Sequence, residues 1–278
     1  MRQIASIAPD KDQATEQVRT AARQVCQLLR DAGDLQGIAV GHWTARDVAA
    51  HLIGGLDLYA QIVAGTGSPV ASVDATGALN EEIIATVTER DGPALADRLE
   101  TGAERFVAAA RAVDGDPQVS WHAGLRMPAS SVVALIVGEL LVHGYDIARA
   151  VHAPWAIPAD AAATVFRGLV PVMPAYLSDR AAGVRARFDL RLRGEPAARA
   201  TLDFAAGTLT ITPGAPSAPV DCHLSMDPAS FLLVSYGRIG PLLPSLTGRA
   251  VSWGRKGWLG LSMHRLFRAP RPRDLHIA

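Results

Sequence analysis

Apolar residues recur at intervals of three and four through the first two-thirds of the chain. Over 14–31, Val18, Ala22, Val25, Leu28 and Leu29 share one stripe, which predicts an amphipathic helix closed by Gly33. Thr44 and Asp47 open a second helix that runs to about Gly65. Thr44 is a natural N-cap, and Asp47 at the third helical position puts a carboxylate beside the free amides of the first turn. A Gly/Ser/Pro stretch over 65–69 ends that helix. Residues 80–89 predict a short helix, and 93–113 a long one with Pro93 at its start, where a missing amide costs nothing. Asp114-Gly115-Asp116-Pro117 reads as a turn. Residues 128–151 form the most apolar helix, with Pro128 in its first turn, and 159–177 predict one more.

From about Asp179 the period changes to two. Residues 184–192 alternate as a strand with one solvated face, and 201–204, 208–212 and 220–225 are further short strands between Gly/Pro turns. Asp227-Pro228 starts a helix through about Tyr236, 249–253 predict a strand, and 258–267 a final helix. The pattern is α+β: a helical bundle followed by a smaller α/β domain, with no internal repeat.

Composition narrows the partners. Of 278 residues, 49% are apolar and 19% charged, enough for a sizeable core. The 27 basic and 27 acidic residues cancel, so no electrostatic footprint for nucleic acid is present. Residues 1–10 lack the basic and apolar regions of a signal peptide. The apolar run 132–142, followed by His143 and broken by Glu139, is too short and too polar to span a bilayer. These features predict a cytoplasmic protein with no membrane partner. Nearly all positive charge is arginine, since lysine occurs only at Lys11 and Lys256.

The candidate chemistry sits on two helices. Glu139 and His143 lie four apart on the apolar helix 128–151, sharing a stripe with Val132, Leu135, Ile136 and Ile147. A carboxylate and an imidazole on a buried stripe are costly unless paired or bound to a cation. His51, with Val48, Gly55 and Leu58 as turn-neighbours, also points inward; Gly54 and Gly55 beside it allow a close helix approach or a ligand. Two imidazoles and one carboxylate from facing helices suit a divalent metal with open positions. Spacing alone leaves the bland reading open: a hydrogen-bonded core histidine and an ordinary helix pair. The other histidines have no comparable setting; His122, after Trp121 in a loop, is in a position to line a pocket, but a surface role is the expectation. Cys26 and Cys222 are isolated and make neither a disulfide framework nor a metal knot. No Gly-rich phosphate loop, GxSxG elbow or HExxH run occurs.

The stretch Trp43-Thr44-Ala45-Arg46-Asp47-Val48-Ala49-Ala50-His51-Leu52 resembles the W-[ST]-x-x-D-[VL]-x-x-H-[LV] opening of the mycothiol-dependent maleylpyruvate isomerase family. Gly138-Glu139-Leu140-Leu141-Val142-His143-Gly144-Tyr145-Asp146-Ile147-Ala148 resembles its E-x-x-x-H-x-[WY]-D segment. Asp227-Pro228-Ala229-Ser230-Phe231-Leu232-Leu233, Tyr236-Gly237-Arg238, Thr247-Gly248-Arg249 and Arg265-Leu266-Phe267 extend the likeness toward the C-terminus. The resemblance implies a DinB-like four-helix bundle over 1–180 and a small α/β domain similar to sterol carrier proteins over 181–278. It places metal ligands on His51, Glu139 and His143, typically for zinc or another divalent metal, and implies mycothiol as the thiol cosubstrate. It also implies a functional arginine, for which Tyr236-Gly237-Arg238 points to Arg238 as the anion anchor and Arg249 as the second choice.

The expected function is therefore a metal-dependent isomerase or thiol S-transferase, in which a metal-held thiolate adds to a small electrophilic substrate. The competing expectation is a non-catalytic binding protein that holds an apolar ligand between or within its domains.

Overall fold

The computed structural model describes residues 8–70, 72, 75–194 and 197–268. The chain forms two compact units, one spanning Asp10–Ala156 and the other beginning at Ile157. The first is a four-helix bundle built from α1 (Lys11–Asp31), α2 (Ala45–Val63), α4 (Gly92–Ala112) and α5 (Ala129–Ala150), with the shorter α3 (Thr76–Thr86) against α2. Two small hairpins introduce the site-bearing helices. One pairs β1 (Ile38–Val40) with β2 (Trp43–Thr44) before α2; the other pairs β3 (Gln118–Ser120) with β4 (Arg126–Pro128) before α5. Three residues or fewer per strand is too short for a periodicity signal, and neither hairpin was expected from the sequence.

Local chemistry sets the helix ends. Thr44 and Asp47 form the reciprocal capping box of α2. α5 borrows its cap from the preceding turn: Ser130 N–H and Oγ–H donate to the two Asp116 carboxylate oxygens, at 2.8 and 2.7 Å. Pro128 consequently sits outside the first turn of α5, as its extended N-cap. α1 ends at Asp31 without a left-handed glycine, because the Ala32 amide bonds back to Leu28 and Gly33 is not at positive φ. α3 begins and ends earlier than 80–89, since buried Arg46 draws the carbonyls of Val87 and Glu89 out of any helical ladder.

The 22 residues of α5 are long and apolar enough, by length and composition alone, to cross a membrane. Its apolarity has a local cause: it packs against α1 and α2, and 89% of its most apolar window is buried.

The second unit holds a five-stranded sheet in the order β7 (Thr208–Pro213), β6 (Ala198–Ala205), β5 (Ala186–Leu192), β8 (Cys222–Met226), β9 (Ala250–Trp253). β5 pairs antiparallel with β6 and parallel with β8, so the sheet is mixed. One face buries Phe188, Leu190, Leu202, Phe204 and Leu224. α6 (Ala159–Leu169) and α7 (Pro228–Ser235) pack on each other, and their Phe166 and Phe231 meet edge to face at 5.3 Å within this core. The compact-unit boundary thus falls before α6, at Ile157, where the sequence pattern suggested a change at 180/181. The helix expected over 159–177 stops at Leu169, because Pro171 follows and cannot continue it, and a 3-10 turn takes over at Met173–Tyr176. The last expected helix is likewise split, into α9 (Leu259–Ser262) and a 3-10 turn at Met263–Leu266, after the unforeseen short α8 (Leu242–Leu246).

The other sheet face carries a polar cluster. Asp189, 4% exposed, accepts two bonds from Arg199 at 2.7 Å and one from His223 at 2.8 Å, and His223 stacks on Trp253. Burial opposes ionisation of Asp189, but the bonds from Arg199 and His223 hold its carboxyl below the usual range.

Phe166→Ala removes a side chain only 1% exposed. It is expected to cost about 3–5 kcal/mol, read as a lower urea midpoint. An unchanged midpoint would mean that α6 does not belong to the sheet's core.

Candidate metal centre

α2 and α5 face each other in the bundle and bring together three side chains. His51 is 5% exposed, His143 is 8% exposed, and Glu139 is half-buried between them. Glu139 Oε2 lies 3.4 Å from His51 Nε2 and 3.3 Å from His143 Nε2. One nitrogen or oxygen from each residue falls within 4.8 Å of the others. The imidazole centroids are 4.9 Å apart, edge to face.

Each imidazole is fixed from behind. His143 Nδ1–H donates to Asp146 Oδ2 at 3.0 Å, and Asp146 is 1% exposed. That bond leaves Nε2 as the free lone pair, aimed at the cluster. The indole of Trp43, the residue before the capping box, packs on His51 at 5.2 Å and is tethered by its N–H to Glu81 at 2.9 Å. On α5, Gly144 lies under Trp155, whose indole N–H donates to Leu141 O. A Cβ at Gly144 would fall 2.1 Å from that ring, so a glycine is required next to His143.

Electrostatics tie the three together. Burial opposes ionisation of Glu139, but hydrogen bonds and charge from His143 and His51 hold it well below the usual carboxylate range. Burial pushes His143 down, and the bonds to Asp146 and Glu139 outweigh this and raise it.

The two glycines on α2 divide their work. A Cβ on Gly54 would strike Ile83 of α3 at 2.4 Å, so Gly54 serves close helix approach. A Cβ on Gly55 would meet only the edge of Tyr59, at 3.6 Å, and Gly55 opens a small cleft. Its walls include His51, Tyr59, Ile136, Glu139 and Leu140.

His122 departs from expectation. It is buried, at 4% exposure, against Trp121 and Tyr59 with its Nδ1 on Ser68 Oγ. Its partners lie more than 50 residues away in sequence, so no local pattern marks it. Burial pushes its pKa down to about 4, against the opposing charge of Glu139. Arg238 and Arg249 belong to the second unit. Arg238 is half-buried and donates to Tyr236 O at 2.8 Å; Arg249 is exposed. Cys26 and Cys222 are buried, and burial raises both thiols to about 11.

In chelator-treated protein the two shifts act at opposite ends of the pH range. Depressed Glu139 contributes stability above the ordinary carboxylate pKa of about 4.3, lost as pH falls through its folded value. Raised His143 contributes stability below about pH 6.5, lost as pH rises through its folded value. The melting temperature is therefore expected to fall on the alkaline side, and Glu139→Gln to flatten that fall. A chelated wild-type protein whose melting is level from about pH 6 to about pH 9 would contradict this coupling.

Comparison with known proteins follows the same helices. Residues 15–148 match the model of the mycothiol maleylpyruvate isomerase N-terminal domain. A crystal structure of a mycothiol-dependent maleylpyruvate isomerase is similar over 87% of this chain and 92% of its own, at 19% identity and a TM-score of 0.54. A mutant of that isomerase is similar over the same shares, at 17% identity and 0.54. These likenesses establish a shared fold. The sterol carrier protein domain 2 of Helicoverpa armigera aligns over 31% of this chain and 66% of its own, at 16% identity and a TM-score of 0.26, too low to bear on the fold. A search of curated proteins gives no match. By this match, residues 15–148 carry the mycothiol maleylpyruvate isomerase N-terminal domain.

Proposed function

We propose that the chain is a metal-dependent enzyme that uses mycothiol, as an isomerase or an S-transferase, with His51, Glu139 and His143 as ligands of a divalent cation, zinc in preference. The observation that carries this reading is the convergence of two imidazole nitrogens and one carboxylate oxygen within 4.8 Å. That donor set fits zinc, and three protein ligands leave at least one position for a cosubstrate. Asp146 behind His143 has the place of a supporting carboxylate around such a site.

A dication held by His51, Glu139 and His143 would lower the pKa of a thiol, ordinarily about 8.5, and so make thiolate available at neutral pH. The chain's own groups do the rest. Leu52, Leu56, Ile136 and Leu140 give the cleft an aliphatic lining. Asp146 and Trp43 hold the two imidazoles in place. Both cysteines are buried, and burial raises both thiols, which favours an external thiol over either of them as the nucleophile. Thiolate addition to a double bond conjugated with a carbonyl turns that bond single. Rotation and expulsion of the thiol complete an isomerisation; release of the conjugate completes a transfer. Arg238 is the proposed anchor for a substrate or thiol carboxylate, with Arg249 the alternative.

Protein purified without chelator is expected to carry about one divalent ion per chain by elemental analysis, lost in His51→Ala. It should convert maleylpyruvate only when mycothiol is added. Wild-type protein free of metal would sink the reading. Arg238→Met should raise KM by roughly 10–100-fold, the loss of one charge-assisted bond; an unchanged KM would move the anchor to Arg249.

A further inference from the structure

The described residues expose eight large apolar side chains, and seven of them lie between Leu242 and Leu261. Leu246 is 86% exposed and Trp258 66%. The segment that carries them borders one edge of the five-stranded sheet. β9 is the last strand on that side, and α8 and α9 both pack against it. Val251 and Trp253 alternate with Ala250 and Ser252, so they share one face of β9. It is the face turned away from the sheet's apolar core, since Trp253 stacks on His223 of the polar cluster.

The same region is basic. Residues 228–268 hold Arg238, Arg249, Arg255, Lys256, Arg265 and Arg268 and no acidic residue, in a chain whose formal net charge is zero. Arg255 and Lys256 share one carboxylate, Asp221, and Arg268 approaches Asp179 at 3.7 Å, which leaves an excess of positive charge. Strand register extends the pattern across the outer face: Arg199 lies beside Arg191, Arg191 beside Ser225, and Ser225 beside Val251. Arg199 is held by Asp189, while Arg191 is exposed. Two like charges side by side on a sheet oppose each other, and an anion meeting Arg191 would relieve this. The outer face therefore grades from cations at Arg199 and Arg191 to apolar side chains at Val251 and Trp253.

We infer that the β9 edge of the second unit docks on an anionic lipid bilayer, with Leu246, Trp253 and Trp258 entering the headgroup boundary and arginines meeting lipid phosphates. The sequence predicts no spanning segment, and a contact in the plane of the interface needs none. A cluster of exposed apolar side chains marks an interaction surface, and its chemistry selects the occupant. A second copy of the chain would set one basic patch against another, which opposes association. Nucleic-acid interfaces are polar, whereas five of the seven side chains here are aliphatic. Tryptophan suits a boundary that is apolar on one side and wet on the other. Arginine lays its stem on apolar surface and keeps its guanidinium at the level of the phosphates. Leu246 and Trp258 stand out into solvent, which fits a sheet of lipid in place of one enclosed molecule.

Cosedimentation of the full-length protein with lipid vesicles tests this. At low salt the protein is expected to pellet with vesicles of phosphatidylcholine and phosphatidylglycerol, its tryptophan emission shifted to the blue, and to stay in solution with phosphatidylcholine alone. Salt at about 1 M should release it. Arg191→Ser should weaken binding about fivefold. Leu246→Asn combined with Trp258→Ser should weaken it at least about tenfold, with the melting temperature unchanged, because both side chains are exposed. Equal binding to the two vesicle types, no binding to either, or wild-type binding by the double variant would overturn the inference. A wild-type protein that ignores vesicles but self-associates through Leu246 and Trp258 would assign this edge to a second copy instead.

Discussion

A carboxylate held between two imidazoles, inside a bundle of aliphatic side chains, is the constraint on which the N-terminal unit turns. Glu139 with His51 and His143 places three ionisable groups, two buried and one half-buried, where isolated charge is expensive. Much of the surrounding structure keeps them apart from other partners and in register. The capping box fixes the start of α2 and therefore the rotation of His51. Asp116 fixes the start of α5 and therefore the rotation of Glu139 and His143. Trp43 and Asp146 then lock the two rings. Well-packed apolar residues in place of a buried ionic cluster are often no less stable, so the presence of the triad on the seam between α2 and α5 accords with the role proposed for it.

Glycine serves the same end in three ways. Gly54 lets α3 approach α2, Gly144 admits Trp155 beside His143, and Gly55 lies in the wall of the small cleft beside the cluster. The first two positions exclude a Cβ by contact with fixed neighbours. The third tolerates one sterically, so its absence there enlarges the cleft and is not needed for packing.

How much of this is legible in the sequence follows from how local each determinant is. The long helices, the Thr44–Asp47 cap and the strands are encoded within a few residues, and period and capping chemistry reveal them. The inward direction of His51, Glu139 and His143 follows from the same period, and the structure brings the three together. His122 escapes because its burial depends on Ser68 and Tyr59, far away along the chain. α6 escapes assignment to the sheet because Phe166 is claimed by Phe231 through tertiary packing. The end of α3 escapes because an arginine 41 residues earlier takes its carbonyl.

The central claim is that the His51–Glu139–His143 cluster holds a dication with a position open to thiol. Cobalt(II) substitution followed by titration with mycothiol tests it most directly. The account predicts a four- to five-coordinate cobalt spectrum and a near-ultraviolet sulfur-to-cobalt band that saturates at about one thiol per cobalt, both lost in His143→Ala. Cobalt that fails to bind, or a spectrum that mycothiol leaves unchanged, would contradict it.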